Sequence, residues 1–167
     1  MKSVTKLALF AALGALTVSP TYAADAEKPK KEKKGAKEKA PAPIKRAYSK
    51  EFTAAYGPAG KLLQKKDNAG AKAMWPQIKA SIMNDDDRYE AGLFAYNVGR
   101  DTTDTALQNE GLDLMIASPA TPADLRKSAA MQRGQMAYNA KQYDVAEKFL
   151  RQAYDAGHRG NNVELLL

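Results

Sequence analysis

The stretch Leu125 to Ala156, LRKSAAMQRGQMAYNAKQYDVAEKFLRQAYDA, decides the fold. Its apolar and small residues recur every three or four positions, the spacing of a helix face, and no part of it alternates with period two. Ahead of it, Thr121-Pro122-Ala123-Asp124 offers a capping hydroxyl, a proline for the first helical position and an acid for the first turn. Behind it, Gly157 can take the left-handed conformation that ends a helix. A second helix is expected from Tyr143, and helices joined by so short a link pack antiparallel. Small residues at Gly134, Ala137, Ala146 and Ala153 let the two helices meet, while Tyr143, Phe149, Leu150 and Tyr154 are expected to fill the gap to a neighbouring hairpin.

The same pattern extends upstream. From Tyr48 onward, turn-forming clusters at Gly57-Pro58, Asp67-Asn68, Asn84 to Asp87, Gly99 to Asp104, Ser118 to Asp124 and Gly157 to Asn162 separate segments of helical periodicity. The segments carry a repeat: Gly92-Leu93-Phe94-Ala95-Tyr96-Asn97 and Gly134-Gln135-Met136-Ala137-Tyr138-Asn139 share G-x-(F/M)-A-Y-N at a separation of 42 residues, and a fainter copy starts at Ala59, 33 residues before Gly92. Self-similarity of this length marks a stacked helical array.

These residues resemble the tetratricopeptide family, whose hairpin places a Gly in its first helix, a small or aromatic residue three on, a small residue twelve after the Gly, a large apolar residue four later and a small one three beyond. Gly134, Ala137, Ala146, Leu150 and Ala153 stand at those places, and Ala59, Leu62, Ala71, Trp75 and Ile78 repeat the spacing. The copy at Gly92 follows it in its first helix only, because Asp104 stands twelve residues on. The best repeat also lacks the family's tryptophan and final proline, and Pro58 and Pro76 must kink or shorten the first two helical segments. The resemblance implies an all-α, right-handed superhelix of about three αα-hairpins over residues 48 to 167. Separately, the capping amide of Asn161, the acid Glu164 three residues on and the apolar run Leu165 to Leu167 read as the opening of a further helix. The resemblance also implies a concave partner-binding face made by the first helix of each hairpin: Tyr56, Leu63 and Gln64; Tyr89, Leu93, Tyr96 and Asn97; Met131, Gln135, Tyr138 and Asn139. Tyrosines with amides suit contact with peptide, each ring giving apolar area and a hydroxyl and each amide able to pair with backbone. The face lacks lysines, so it does not read as a clamp for a terminal carboxylate.

The amino-terminal 47 residues read differently. Lys2 and Lys6, an apolar run from Leu7 to Val18 and small residues up to Ala23 form a secretory signal over residues 1 to 23, implying an exported, periplasmic or secreted protein. Twelve apolar residues rise about 18 Å as a helix, short of the roughly 30 Å a membrane anchor needs, and no later segment is of spanning length. Residues 24 to 47, ADAEKPKKEKKGAKEKAPAPIKRA, hold nine basic and four acidic residues and three prolines and read as a disordered linker. Of 26 basic and 19 acidic residues in the chain, removing two lysines in the signal and the linker's nine and four leaves 15 of each from Tyr48 onward. The body is neutral, so the overall charge of +7 gives no reason to expect a nucleic-acid partner. Two readings of the linker stay open, a solvated spacer or a weak contact with anionic envelope components.

Signs of chemistry are few. The chain has no cysteine and one histidine, His158, placed beside a helix end as a surface residue. No nucleophile elbow, phosphate loop or zinc-protease motif occurs, and Asp85-Asp86-Asp87 lacks calcium-loop spacing while suiting a helix amino terminus. The expectation is a scaffold that binds a protein or peptide, with no catalytic residue, metal or cofactor. The competing classes are a binder of anionic envelope surfaces acting through the linker and a hydrolase of unrecognised type.

Overall fold

The computed structural model describes residues 45–159; the signal, the linker through residue 44 and the helix expected after Asn161 lie outside the described residues. Among the described residues the chain is all-helical, with no strand. Seven helices follow in order: α1 (Lys50–Gln64), α2 (Asn68–Ala73), α3 (Trp75–Ala80), α4 (Asp85–Asp101), α5 (Thr105–Ala117), α6 (Ala123–Asn139) and α7 (Tyr143–Asp155). They pack in pairs: α4 on α5, α6 on α7, and α1 on the broken second helix formed by α2 and α3, with α4 touching α2 and α5 touching α6. None is long and apolar enough to cross a membrane.

The pairs close because their facing positions lack bulk. A methyl group added at Gly111 would fall 2.6 Å from the Gly92 carbonyl oxygen and closer still to the Tyr96 nitrogen; one at Gly134 would fall 2.7 Å from Leu150 Cγ. The small residues of the sequence pattern are buried, Ala59 and Ala71 in the first pair and Ala137, Ala146 and Ala153 in the last, together with the large Ile78 and Leu150. Leu150 fills the seam inside its own pair, against Gly134, rather than the gap to another hairpin.

Each pair turns in the same way. Lys66, Thr103 and Lys141 adopt left-handed φ values of 61°, 55° and 59°, 37 and 38 residues apart. The next amide reaches back five residues in each case, Asp67 to Leu62 O (2.9 Å), Asp104 to Gly99 O (2.7 Å) and Gln142 to Ala137 O (2.9 Å). This satisfies a carbonyl left open at the helix end. Asp67 and Asp104 then cap the following helix, accepting from the Gly70 and Leu107 amides. The turns correct the period of 33 and 42 read from the sequence motif. Ala59 and Gly134 each precede their left-handed residue by seven positions, but Gly92 precedes Thr103 by eleven, one helical turn more. In the middle pair the small residue has moved across the seam, from α4 to Gly111 of α5, which packs on the Tyr96 backbone. Asp104 therefore breaks the family spacing because it is a cap.

Three other expectations change, and the one for Pro76 holds. Gly57-Pro58 does not divide a helix, since α1 runs through Pro58; that proline is exposed, and so is Ala54, whose carbonyl loses a partner to solvent. Pro76 does act as a break, splitting the second helix at Met74 and sitting in the first turn of α3. Thr121 does not cap α6, which has Pro122 at that place, and its buried hydroxyl has no partner. The linker does not reach Ala47: Arg46 and Ala47 are bonded to α4, as described below.

Gly111→Ala is expected to destabilise the chain by about 1–3 kcal/mol in chemical denaturation, because backbone atoms of α4 must retreat. Gly60→Ala, where an added methyl meets only Tyr56 Cε1 at 4.0 Å, is the control and should hold or gain stability. Thr103→Gly should stabilise by about 1 kcal/mol, since a β-branched residue is strained in the left-handed region.

Candidate functional site

The expected binding face draws on α1, α4 and α6, and its residues meet different fates. Tyr56 is a packing residue: its ring lies 5.3 Å from Phe52 and 5.7 Å edge-on from Phe94, and its hydroxyl donates to Glu90 Oε1 at 2.9 Å. Met131 is 1% exposed and packs with Ala130, Ala137 and Leu150, so it offers nothing to a partner. Leu63 closes the first core cluster, while Gln64 is exposed. Leu93 and Tyr96 are half-buried over Leu112, Met115 and Ala129, and Gln132 Nε2 donates to the Tyr96 hydroxyl oxygen at 2.6 Å, tying α6 to α4. Tyr89 is half-buried beneath the Arg46 guanidinium, 4.2 Å from its ring centre. Asn97 and Asn139 are exposed and Gln135 half-exposed. Tyr138 is 43% exposed and meets Tyr143, 59% exposed, edge-on at 5.7 Å.

What stays accessible is thus narrower than the sequence implied. On α4, Asp86, Tyr89, Leu93 and Asn97 follow one another at steps of three and four and share a stripe. On α6, Gln135, Tyr138 and Asn139 keep to the last turn and a half. Tyr143 belongs beside them. It was read as the start of α7 and as filling, and its exposure follows from its place in the first turn, outside the seam made by Ala146 and Leu150.

A polar core beneath this face was not read from the sequence. Glu90 is 6% exposed, and its carboxylate accepts from the Tyr56 hydroxyl and, at 3.0 Å, from that of Tyr48. Burial first, and the Glu90 charge second, push both phenols above their ordinary range, so both remain protonated donors. Asp87 is fully buried and accepts from the amides of Ser49 (2.9 Å) and Met83 (3.1 Å). The only early signal was the four-residue spacing of Tyr48, Phe52 and Tyr56, which brings together one ring from just ahead of the Ser49 cap and two from one side of α1.

The Asp85 to Asp87 triple is wholly engaged in binding the chain to itself. Asp85 pairs with Arg88, and its carbonyl accepts from the Ser118 hydroxyl at 2.7 Å. Asp86 accepts from the Ala47 amide (2.7 Å) and the Arg46 guanidinium (2.9 Å). Lys72 pairs with Asp104 at 2.8 Å and Arg133 with Asp113 at 3.0 Å, while Glu110 takes the Trp75 indole at 2.8 Å and pairs with Lys79. No cluster of potential ligands suited to a metal ion occurs among the described residues. His158 sits past the end of α7 with its Nε2 buried and unpaired.

Comparison with protein-family models, with curated proteins and with solved structures yields no match.

The Asp86 carboxylate is held below its ordinary range, chiefly by the Ala47 amide and then by Arg46. A depressed folded-state value means that this contact contributes fully above the unfolded value of about 3.9 and is lost as pH falls through the folded one. In an NMR titration the Ala47 amide and the Asp86 carboxyl carbon should therefore move together, with a common midpoint below about 3.9. Asp86→Asn should abolish that step for Ala47.

Proposed function

We propose that this chain is an exported scaffold of the cell envelope, built as a tetratricopeptide-like array and binding a protein or peptide segment along the first-helix face of its hairpins rather than performing chemistry. The observation that carries this reading is the tyrosine and amide row left accessible on adjacent pairs: Tyr89, Leu93 and Asn97 on α4, and Gln135, Tyr138 and Asn139 on α6. Such a row can pair with main-chain groups of an extended segment while its rings supply apolar area. The array reading is supported by the recurrence of one turn geometry and by burial of the small residues at family spacing. The separation of 37 and 38 residues between turns is longer than the family's repeat of about 34, so each hairpin here carries three or four extra residues. Export rests on the signal read in residues 1 to 23, where the charged start and the apolar run stand in order.

The binding surface is Tyr89, Leu93, Tyr96 and Asn97 with Gln135, Tyr138 and Asn139, extended to Tyr143. Tyr56 and Met131 support it from beneath. Asn97→Ala combined with Tyr138→Ala and Asn139→Ala leaves the core intact; each amide change should cost less than about 0.5 kcal/mol of stability, and Tyr138→Ala about 0.5–1.5 kcal/mol for the loss of its edge-on pair with Tyr143. The triple variant should keep its helical circular dichroism and lose at least tenfold in recovery of the partner crosslinked in intact cells. Undiminished recovery by a folded triple variant rejects this face as the binding surface.

A further inference from the structure

Residues 46–49 leave the linker in extended form and cross the start of α4 before α1 begins, and the way they are held is that of a bound peptide. Ala47 is gripped by its backbone alone: its amide donates to Asp86 Oδ2 at 2.7 Å and its carbonyl accepts from Asn84 Nδ2 at 3.0 Å. Its side chain is exposed, so nothing selects the residue type there. Arg46 is read by its side chain. Its Nη1 donates to Asp86 Oδ1 at 2.9 Å and to the Ala120 carbonyl at 2.6 Å, and its Cζ lies over the Tyr89 ring, 4.2 Å from the centre. Acceptors on α4 and on the α5–α6 loop thus converge on one cation, together with an aromatic face. A planar guanidinium can stack on the ring while its Nη1 serves both acceptors, a stacking that the compact ammonium of a lysine does not offer. Two residues on, the Ser49 amide donates to Asp87 Oδ1 at 2.9 Å.

Neither Arg46 nor Ala47 belongs to a core cluster; the first residue packed there is Tyr48. Lifting the two away would leave α1 capped by Ser49 and the core unchanged. The site they cover runs into the accessible stripe of α4, where Leu93 and Asn97 follow Tyr89 at steps of one turn.

We propose that the edge formed by Asn84, Asp86, Tyr89 and the Ala120 carbonyl is a receptor for an extended, arginine-bearing segment, which residues 46–49 occupy in cis and a partner's segment must displace. The inference rests on the partner-binding reading above and supplies the chemistry of what is bound: an arginine followed by a residue recognised only through its backbone. Occupancy in cis weakens binding in trans in proportion to the fraction of time the site is covered. Opening the site is therefore expected to raise affinity without adding a contact.

The test uses the full chain and a capped pentapeptide of the sequence Lys-Arg-Ala-Tyr-Ser, titrated by NMR against the wild type and Arg46→Ala. A control peptide carries citrulline, which keeps the shape of arginine and lacks its charge. The expected result is at least tenfold tighter binding to Arg46→Ala than to the wild type, with shifts at Tyr89 and Asn84, no binding of the citrulline peptide, and loss of binding when Asp86→Asn is added. Equal affinity for the two proteins, or no binding by a folded Arg46→Ala, overturns the proposal. Should Arg46→Ala fail to fold, hydrogen exchange in the wild type decides: excess peptide must speed exchange at Ala47 and leave the α4 and α5 interiors unaffected, and unchanged exchange at Ala47 overturns the proposal equally. Partner recovery that depends on Asn97 and Tyr138 alongside a failed peptide test would sink the receptor alone, while peptide binding without such dependence would sink the broader face.

Discussion

The contact on which the rest depends is the one between the backbones of α4 and α5, where Gly111 lies against the Tyr96 nitrogen and the Gly92 carbonyl with no room for a methyl group. Helix axes usually lie 8–10 Å apart, and only residues without bulk at the crossing permit the near limit. Once the two backbones meet there, Met115 is laid over Gly92, and Leu112, Met115 and Ala129 form the cluster on which α6 sits. Leu93 and Tyr96 are drawn half into that cluster, which leaves Asn97 as the freest member of its row. The last pair solves the same problem the other way round, with the glycine on its first helix and Leu150 on its second.

Polar groups set the order in which the pairs stack. The start of α4 holds three aspartates, and each carboxylate or its backbone joins a different part of the chain: Asp85 the Ser118 turn, Asp86 the Arg46 segment, Asp87 the amides ahead of α1 and α4. Negative charge is favoured at a helix amino terminus, so these acids are stabilised there even before they find partners. The fully buried Asp87 and the nearly buried Glu90 are tolerable because every contact is a hydrogen bond from an amide or a phenol. Charged pairs between neighbours, Lys72 with Asp104 and Arg133 with Asp113, join one hairpin to the next at partly exposed positions where each contributes little alone. They therefore fix relative placement more than they stabilise.

The neutral body and the basic amino-terminal segment meet at Arg46. Because the guanidinium is caught between Asp86, the Ala120 carbonyl and Tyr89, the linker is joined to the folded part at a fixed point beside the α4 stripe.

From the sequence alone came the all-helical class, the positions of most turns, and the small residues at the seams of the first and last pairs. These follow from local rules: helical periodicity, turn chemistry and the need for small residues at a crossing act over a few neighbours and leave a mark in composition. The packing of distant residues decided the remainder. Whether Tyr56 faces a partner or Glu90 depends on a carboxylate 34 residues away, and the burial of Met131 depends on its packing with Ala146, Leu150 and Ala153 of α7. The one-turn offset of Gly92 could not be read either, because a glycine on either side of the seam allows the same close approach and the motif does not say which. Tertiary structure alone assigned Arg46 to the domain, since a residue of a lysine-rich segment becomes ordered only where an acid, a carbonyl and a ring from three separate places converge on it.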